Sequence, residues 1–157
     1  TGKTVYGSHN IGIEDDILPE EIDFDALDMI VLPGGLGGVA SARASQAALD
    51  ALKWAWDNGR FVAAICAGPT VLADLGITDG RAAVCYPAGP IEAKMSKAKL
   101  QTLPTVQDGR VITVIRDGRL ITGTSAGCAI PFALALIEAL KGQQEARRIA
   151  SQIVIRA

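Results

Sequence analysis

The sequence predicts an α/β protein with a mostly parallel sheet and helices on both faces. Three observations carry that expectation. Apolar residues make up 49% of the 157-residue chain and aromatics only 4%, which is the aliphatic-rich composition of strands buried on both faces. Short apolar runs alternate with segments of helical period along most of the chain. Several runs stop at glycine, cysteine or proline, where a strand must turn sharply. The length suits one domain, residues 1–157, large enough to bury a sizeable core.

The elements follow in order. Thr1 to Ala26 is turn-rich, with a short strand expected over Asn10–Ile13 and with Ile22 and Phe24 under the next strand. Leu27–Leu32 reads as a buried strand ended by Pro33-Gly34-Gly35, and Gly34, Gly35, Gly37 and Gly38 read as a flexible connection. Ala44–Asn58 has helical spacing of Leu49, Leu52, Ala55 and Trp56, with Gly59 as its C-terminal cap. Trp54 and Trp56 read as packing residues. Phe61–Ile65 is a strand, Thr70–Leu75 a short helix stopped by Gly76, and Ala82–Cys85 a further strand leading into Tyr86-Pro87. Glu92–Leu100 reads as an exposed helix whose Lys94, Lys97 and Lys99 form a solvated face. Val111–Ile115 and Leu120–Thr122 flank Arg116-Asp117-Gly118-Arg119, and Asp-Gly between β-branched runs signals a hairpin. Ala129–Leu140 is an apolar helix capped by Gly142, Gln143–Ile149 a second helix, and Ile153–Ile155 a final strand.

Composition removes several classes of function. A net charge of −2 with no basic run gives no footprint for nucleic acid. No apolar run reaches membrane-spanning length, and no secretory signal is visible. The three cysteines, Cys66, Cys85 and Cys128, are odd in number and irregularly spaced, a poor disulfide framework. With no C-x-x-C pair and His9 as the single histidine, the sequence offers no zinc set. Reduced thiols in a cytoplasmic protein are the expectation.

Chemistry concentrates at Phe61-Val62-Ala63-Ala64-Ile65-Cys66-Ala67-Gly68-Pro69. A strand stops at a cysteine, and small residues and a proline lead into a helix. A thiolate placed there is favoured by the unpaired N–H groups and dipole of the helix start. In a parallel sheet, sites form beyond the carboxyl ends of strands. Gly34-Gly35, Cys66 and Tyr86 all lie at such ends and are expected to converge. Cys85, beside Tyr86 at the pocket rim, reads as a packing residue, and Cys128, at the entry to the long helix, as a contact of the active-site wall or the dimer interface; neither is expected to be catalytic.

These motifs resemble the ThiJ/PfpI family, in the branch of the parkinsonism-associated protein deglycase and its bacterial relatives. Val31-Leu32-Pro33-Gly34-Gly35, Ala63-Ala64-Ile65-Cys66-Ala67-Gly68-Pro69, the Asp117-Gly118 hairpin and the Phe132–Leu140 helix carry the resemblance across essentially the whole chain. It implies a flavodoxin-like three-layer sandwich, a homodimer and Cys66 as the reactive cysteine. It further implies that backbone N–H groups at Gly34, Gly35 and Ala67 stabilise an oxyanion. Tyr86 stands where some relatives carry a histidine, so a Cys–His dyad is not encoded there. His9 matches a position that is often basic and close to the partner subunit's site.

The resemblance also implies a β-α-β unit of roughly 35 to 40 residues preceding the position where Thr1 aligns. In the family that unit carries a glutamate that hydrogen-bonds the reactive sulfur. Glu14, Asp15, Asp16 and Glu20 lie in another segment and do not match it. The chain is therefore expected to be an N-terminally incomplete domain, open at a central strand and nearly inactive alone. The implied activity is that of a glyoxalase III or deglycase acting on glyoxal, methylglyoxal or their adducts through a Cys66 hemithioacetal. It needs no metal, nicotinamide or glutathione. The alternatives are a redox sensor or holdase chaperone using Cys66 oxidation, a cysteine hydrolase or amidotransferase, and a non-catalytic dimeric domain.

Overall fold

The computed structural model describes residues 4–7, 9–18, 21–101, 106–107, 110–111 and 113–155. Thr1, Glu20 and Ile112 lie outside them.

The chain opens on an antiparallel hairpin of β1 (Thr4–Tyr6) and β2 (Gly12–Glu14), with Val5 opposite Ile13. There follow β3 (Met29–Leu32), α1 (Leu36–Ala44), α2 (Gln46–Asp57), β4 (Phe61–Ile65), α3 (Pro69–Asp74) and β5 (Ala82–Ala83). Next come α4 (Gly89–Glu92), β6 (Lys99–Leu100), β7 (Val106–Gln107), β8 (Arg110–Val111), β9 (Val114–Asp117), β10 (Leu120–Gly123), α5 (Ala129–Lys141) and α6 (Gln143–Gln152). The main sheet runs β3-β4-β10-β9. β3, β4 and β10 are parallel, and β9 pairs with β10 antiparallel through the predicted Asp117-Gly118 turn. A parallel β5–β6 pair lies beside it.

The three layers follow from strand alternation. Val62 and Ala64 of β4, with Leu120 of β10, face Val39 of α1, Leu52 and Ala55 of α2, and Val71 and Leu72 of α3. Ala63 and Ile121 face the opposite way, onto Phe132, Ala135, Leu136 and Ala139 of α5. The architecture is the expected flavodoxin-like α/β sandwich. Among the described residues nothing pairs with the outer edge of β3, and Val31 on that strand is 42% exposed.

Several boundaries differ from the sequence expectation. The glycines after β3 do not form a flexible connection, because residues from Leu36 onward are helical. Gly35 supplies the positive φ of 89° that starts α1, Val39 buries against the sheet, and Arg43 bonds Asp74 at 2.6 Å and Thr70 at 2.7 Å. Tertiary anchoring overrides weak helix propensity there. Ser45, expected inside one helix, instead separates two and caps the second by accepting from the Ala48 N–H at 3.3 Å. Glu92–Leu100 is not one helix: α4 ends at Glu92, a single 3₁₀ turn covers Ala93–Met95, and Lys99–Leu100 is strand. Met95 is buried at the centre of that region with Ala83 and Cys85. Ile153–Ile155 forms no strand. Its backbone closes α6, with the Ile153 N–H donating to Ile149 and the Ile155 N–H to Ala150.

One buried hydroxyl fastens the β5 segment to the main sheet. The Val84 N–H donates to Thr122 Oγ1 at 2.9 Å, and both residues are buried. Thr122→Val preserves shape but strands a buried N–H. The expected result is a loss of about 1–3 kcal/mol, read by urea unfolding.

Candidate active site

Cys66 follows β4 directly and has φ 65°, the left-handed region that a non-glycine residue enters at a cost of about 1–2 kcal/mol. Two hydrogen bonds hold it there. Its N–H donates to the Gly123 carbonyl at 2.9 Å, and its carbonyl accepts from the Tyr86 N–H at 2.8 Å. The Gly68 N–H closes the turn on the Ile65 carbonyl at 3.0 Å, and Pro69 then starts α3. Nothing with a side chain fits beside this turn. A Cβ on Gly34 would lie 2.6 Å from Cys66 Cβ and 3.2 Å from its Sγ.

Cys66 is half-buried and opens onto a cavity of about 230 Å³ lined by Gly35, Leu36, Cys66, Ala67, Tyr86 and Ile91. The walls are mainly apolar. No acceptor among the described residues takes the N–H of Gly34, Gly35 or Ala67, so these donors remain available near the sulfur. Two larger apolar grooves, along β3 and along α2, contain no cysteine.

The structure thus brings together Gly34, Gly35, Cys66, Ala67 and Tyr86. It does not bring in His9, which is exposed in the β1–β2 turn and absent from the cavity lining. Sequence reasoning missed two wall residues. Leu36 opens α1 and is 76% exposed; its signal was its place directly after the glycine pair. Ile91 gave no signal beyond following Pro90. No described carboxylate or imidazole hydrogen-bonds the Cys66 sulfur. Among the described residues no group of three or more His, Cys, Asp or Glu is placed to hold a metal, and no helix is long and apolar enough to cross a membrane.

The other thiols are packed away. Cys128 Sγ donates to the Ser125 carbonyl at 3.1 Å and accepts from Thr124 Oγ1 at 3.5 Å. Cys85 is buried with Ala83 and Met95. Burial, then the Glu92 carboxylate, then Cys66 push its thiol from 9.0 up to about 11. The folded protein therefore holds a proton that the unfolded chain releases. This contribution to stability is complete below pH 9 and is lost as the pH rises towards 11. Thermal midpoints measured between those values are expected to fall more steeply for the native chain than for Cys85→Ala.

The fold, the strand-end cysteine and the glycine turn agree with a model of the DJ-1/PfpI family that matches residues 1–139. This chain belongs to the DJ-1/PfpI family. Among its relatives, DJ-1beta of Drosophila melanogaster is 34% identical over 154 residues, covering 98% of this chain and 78% of the relative. The crystal structure of that protein superposes with a TM-score of 0.85 at 32% identity, covering 99% of this chain and 79% of the other. A glutathione-independent glyoxalase of Caenorhabditis elegans is 30% identical over 130 residues, covering 83% and 64% of the two chains. A deglycase of Pyrococcus abyssi is 34% identical over 83 residues, covering 53% and 49%. The chain thus spans less than two thirds of the last two. Membership of the DJ-1/PfpI family, with relatives named as a glyoxalase and a deglycase, supports a role of that kind.

Proposed function

We propose that the protein acts on glyoxal, methylglyoxal or their adducts, with Cys66 as the covalent nucleophile. The observation that carries this reading is the half-buried Cys66 sulfur in a small apolar cavity edged by free backbone donors. About 230 Å³ is below the roughly 300–1,000 Å³ of cavities that enclose drug-sized ligands. It suits a two- or three-carbon carbonyl compound.

The Cys66 thiolate attacks the aldehyde carbon and the carbonyl π pair moves to oxygen. The N–H groups of Gly34, Gly35 and Ala67 face that oxyanion, on the pattern of a nucleophile elbow. A general base then moves the carbon-bound proton to the neighbouring carbon. Water releases the hydroxy acid and restores the thiol. Tyr86 and Ile91 shape the wall. In this reading the general base is the glutamate that the family carries just after its first strand, a role that no described carboxylate fills at the Cys66 sulfur. The protein is a homodimer in this reading, and exposed Val5, Tyr6, Ile11 and Ile13 on the β1–β2 hairpin support such an association. His9 in that hairpin's turn then approaches the partner's cavity.

The test is glycolate or lactate release from glyoxal or methylglyoxal, without glutathione or added metal. It compares the 157-residue chain with a polypeptide extended by the glutamate-bearing unit. Turnover is expected only in the extended form. Equal turnover in both would remove the assigned base. A hydrolase reading finds less support, because Tyr86 and no histidine lines the cavity among the described residues.

A further inference from the structure

Cys66 lines the cavity, and Cys85 lies next in sequence to Tyr86, which lines it too. The Tyr86 N–H donates to the Cys66 carbonyl at 2.8 Å, so the Cys85-Tyr86 segment runs beside the end of β4 as an adjacent strand would. Adjacent strands lie about 4.8 Å apart, within the roughly 4.4–6.8 Å Cα separation over which a disulfide closes. Cys85 is 4% exposed and lies behind Ile91, which packs on its cluster and also lines the Cys66 cavity. Among the described residues the polar contact of the Cys85 sulfur is a weak one, to the Tyr86 carbonyl at 3.6 Å, so no strong hydrogen bond has to break for it to turn towards Cys66. Cys128 differs, since its sulfur is engaged by both Ser125 and Thr124.

We propose that Cys66 and Cys85 form a dithiol pair in which Cys85 resolves an oxidised Cys66 into a disulfide. The inference rests on Cys66 being the reactive thiol and goes beyond the carbonyl chemistry above. The oxidant is a hydroperoxide. The Cys66 thiolate attacks the terminal peroxide oxygen, the O–O bond breaks, and the departing alkoxide or hydroxide takes a proton. Cys66, oxidised by two electrons, becomes a sulfenic acid. The Cys85 sulfur then gives up its proton and attacks the Cys66 sulfur. The S–O bond breaks, the S–S bond forms, and water leaves.

The order is set by environment. Cys66 faces the cavity, whereas Cys85 is shielded and held protonated by burial, Glu92 and Cys66. The disulfide occupies the nucleophile reversibly and spares it from sulfinic acid.

The test is hydrogen peroxide titration of the full chain, of Cys85→Ala and of Cys128→Ala. Denaturation, thiol alkylation, and intact and peptide mass analysis follow. The native chain is expected to lose two hydrogens and to fall from three alkylatable thiols to one. It should yield a Cys66–Cys85 cross-linked peptide that dithiothreitol removes. Cys128→Ala should cross-link equally, and Cys85→Ala should instead gain one and then two oxygens at Cys66. Oxygen gain at Cys66 in the native chain with Cys85 still alkylatable would overturn the pair and leave the nucleophile reading standing. A Cys66 that neither oxidises nor alkylates would overturn both. Should Cys85→Ala fail to fold by circular dichroism, the native chain's peptide map still decides.

Discussion

Cys66→Ser is expected to lower turnover of glyoxal and methylglyoxal by roughly 10³-fold or more in an active preparation, with the thermal midpoint almost unchanged. The two side chains are nearly the same size, and both backbone bonds that hold this position involve main-chain atoms only. What changes is the nucleophile. A serine hydroxyl is almost wholly protonated at neutral pH, and no described group hydrogen-bonds the side chain to activate it. Product release under saturating substrate is the measurement. Full activity in Cys66→Ser would remove the hemithioacetal, and with it the assigned chemistry.

The largest effect on stability is expected at Gly68. A Cβ there would sit 2.8 Å from the Leu32 carbonyl oxygen and 3.0 Å from those of Ile65 and Pro33. All three are backbone atoms of β3, β4 and the loop between β3 and α1, so no side-chain rotation relieves the contact. Gly68→Ala must push β3 away from the turn that carries Cys66. The expected destabilisation is about 3 kcal/mol or more, by urea unfolding, with loss of native Cys66 alkylation kinetics. Gly37→Ala is the control. Its Cβ meets nothing within 4 Å, and replacing glycine in a helix is expected to stabilise by about 0.5 kcal/mol. Equal behaviour of the two variants would show that the close approach at Gly68 is not what fixes the turn.

The contrast between these glycines also shows what the sequence reveals and what it hides. The turn at Cys66 is legible because its cause is local: an aliphatic run, a cysteine, two small residues and a proline stand in sequence. The β9–β10 hairpin is legible for the same reason, through Asp117-Gly118. The helix α1 is not, because its glycine pair reads as a loop and it is anchored by tertiary contacts, Val39 against the sheet and Arg43 reaching Asp74 and Thr70 a chain segment away. Ile153–Ile155 misleads in the opposite sense, since β-branched residues suggest a strand but find no partner strand among the described residues and finish α6 instead. Within the site, Gly34, Gly35, Ala67 and Tyr86 could be anticipated from strand ends. Leu36 and Ile91 could not, because a cavity wall is defined by what crosses the opening and not by any pattern along the chain.

The two bonds that grip Cys66 have a kinetic meaning. Its N–H is held by Gly123 and its carbonyl by Tyr86, so three segments distant in sequence must have assembled before the left-handed turn can persist. A partly folded chain has the cysteine but not its setting. The rate at which a small alkylating reagent finds Cys66 in its native microenvironment therefore reports the joining of these three segments, and it registers only molecules in which β4 and β10 are already paired.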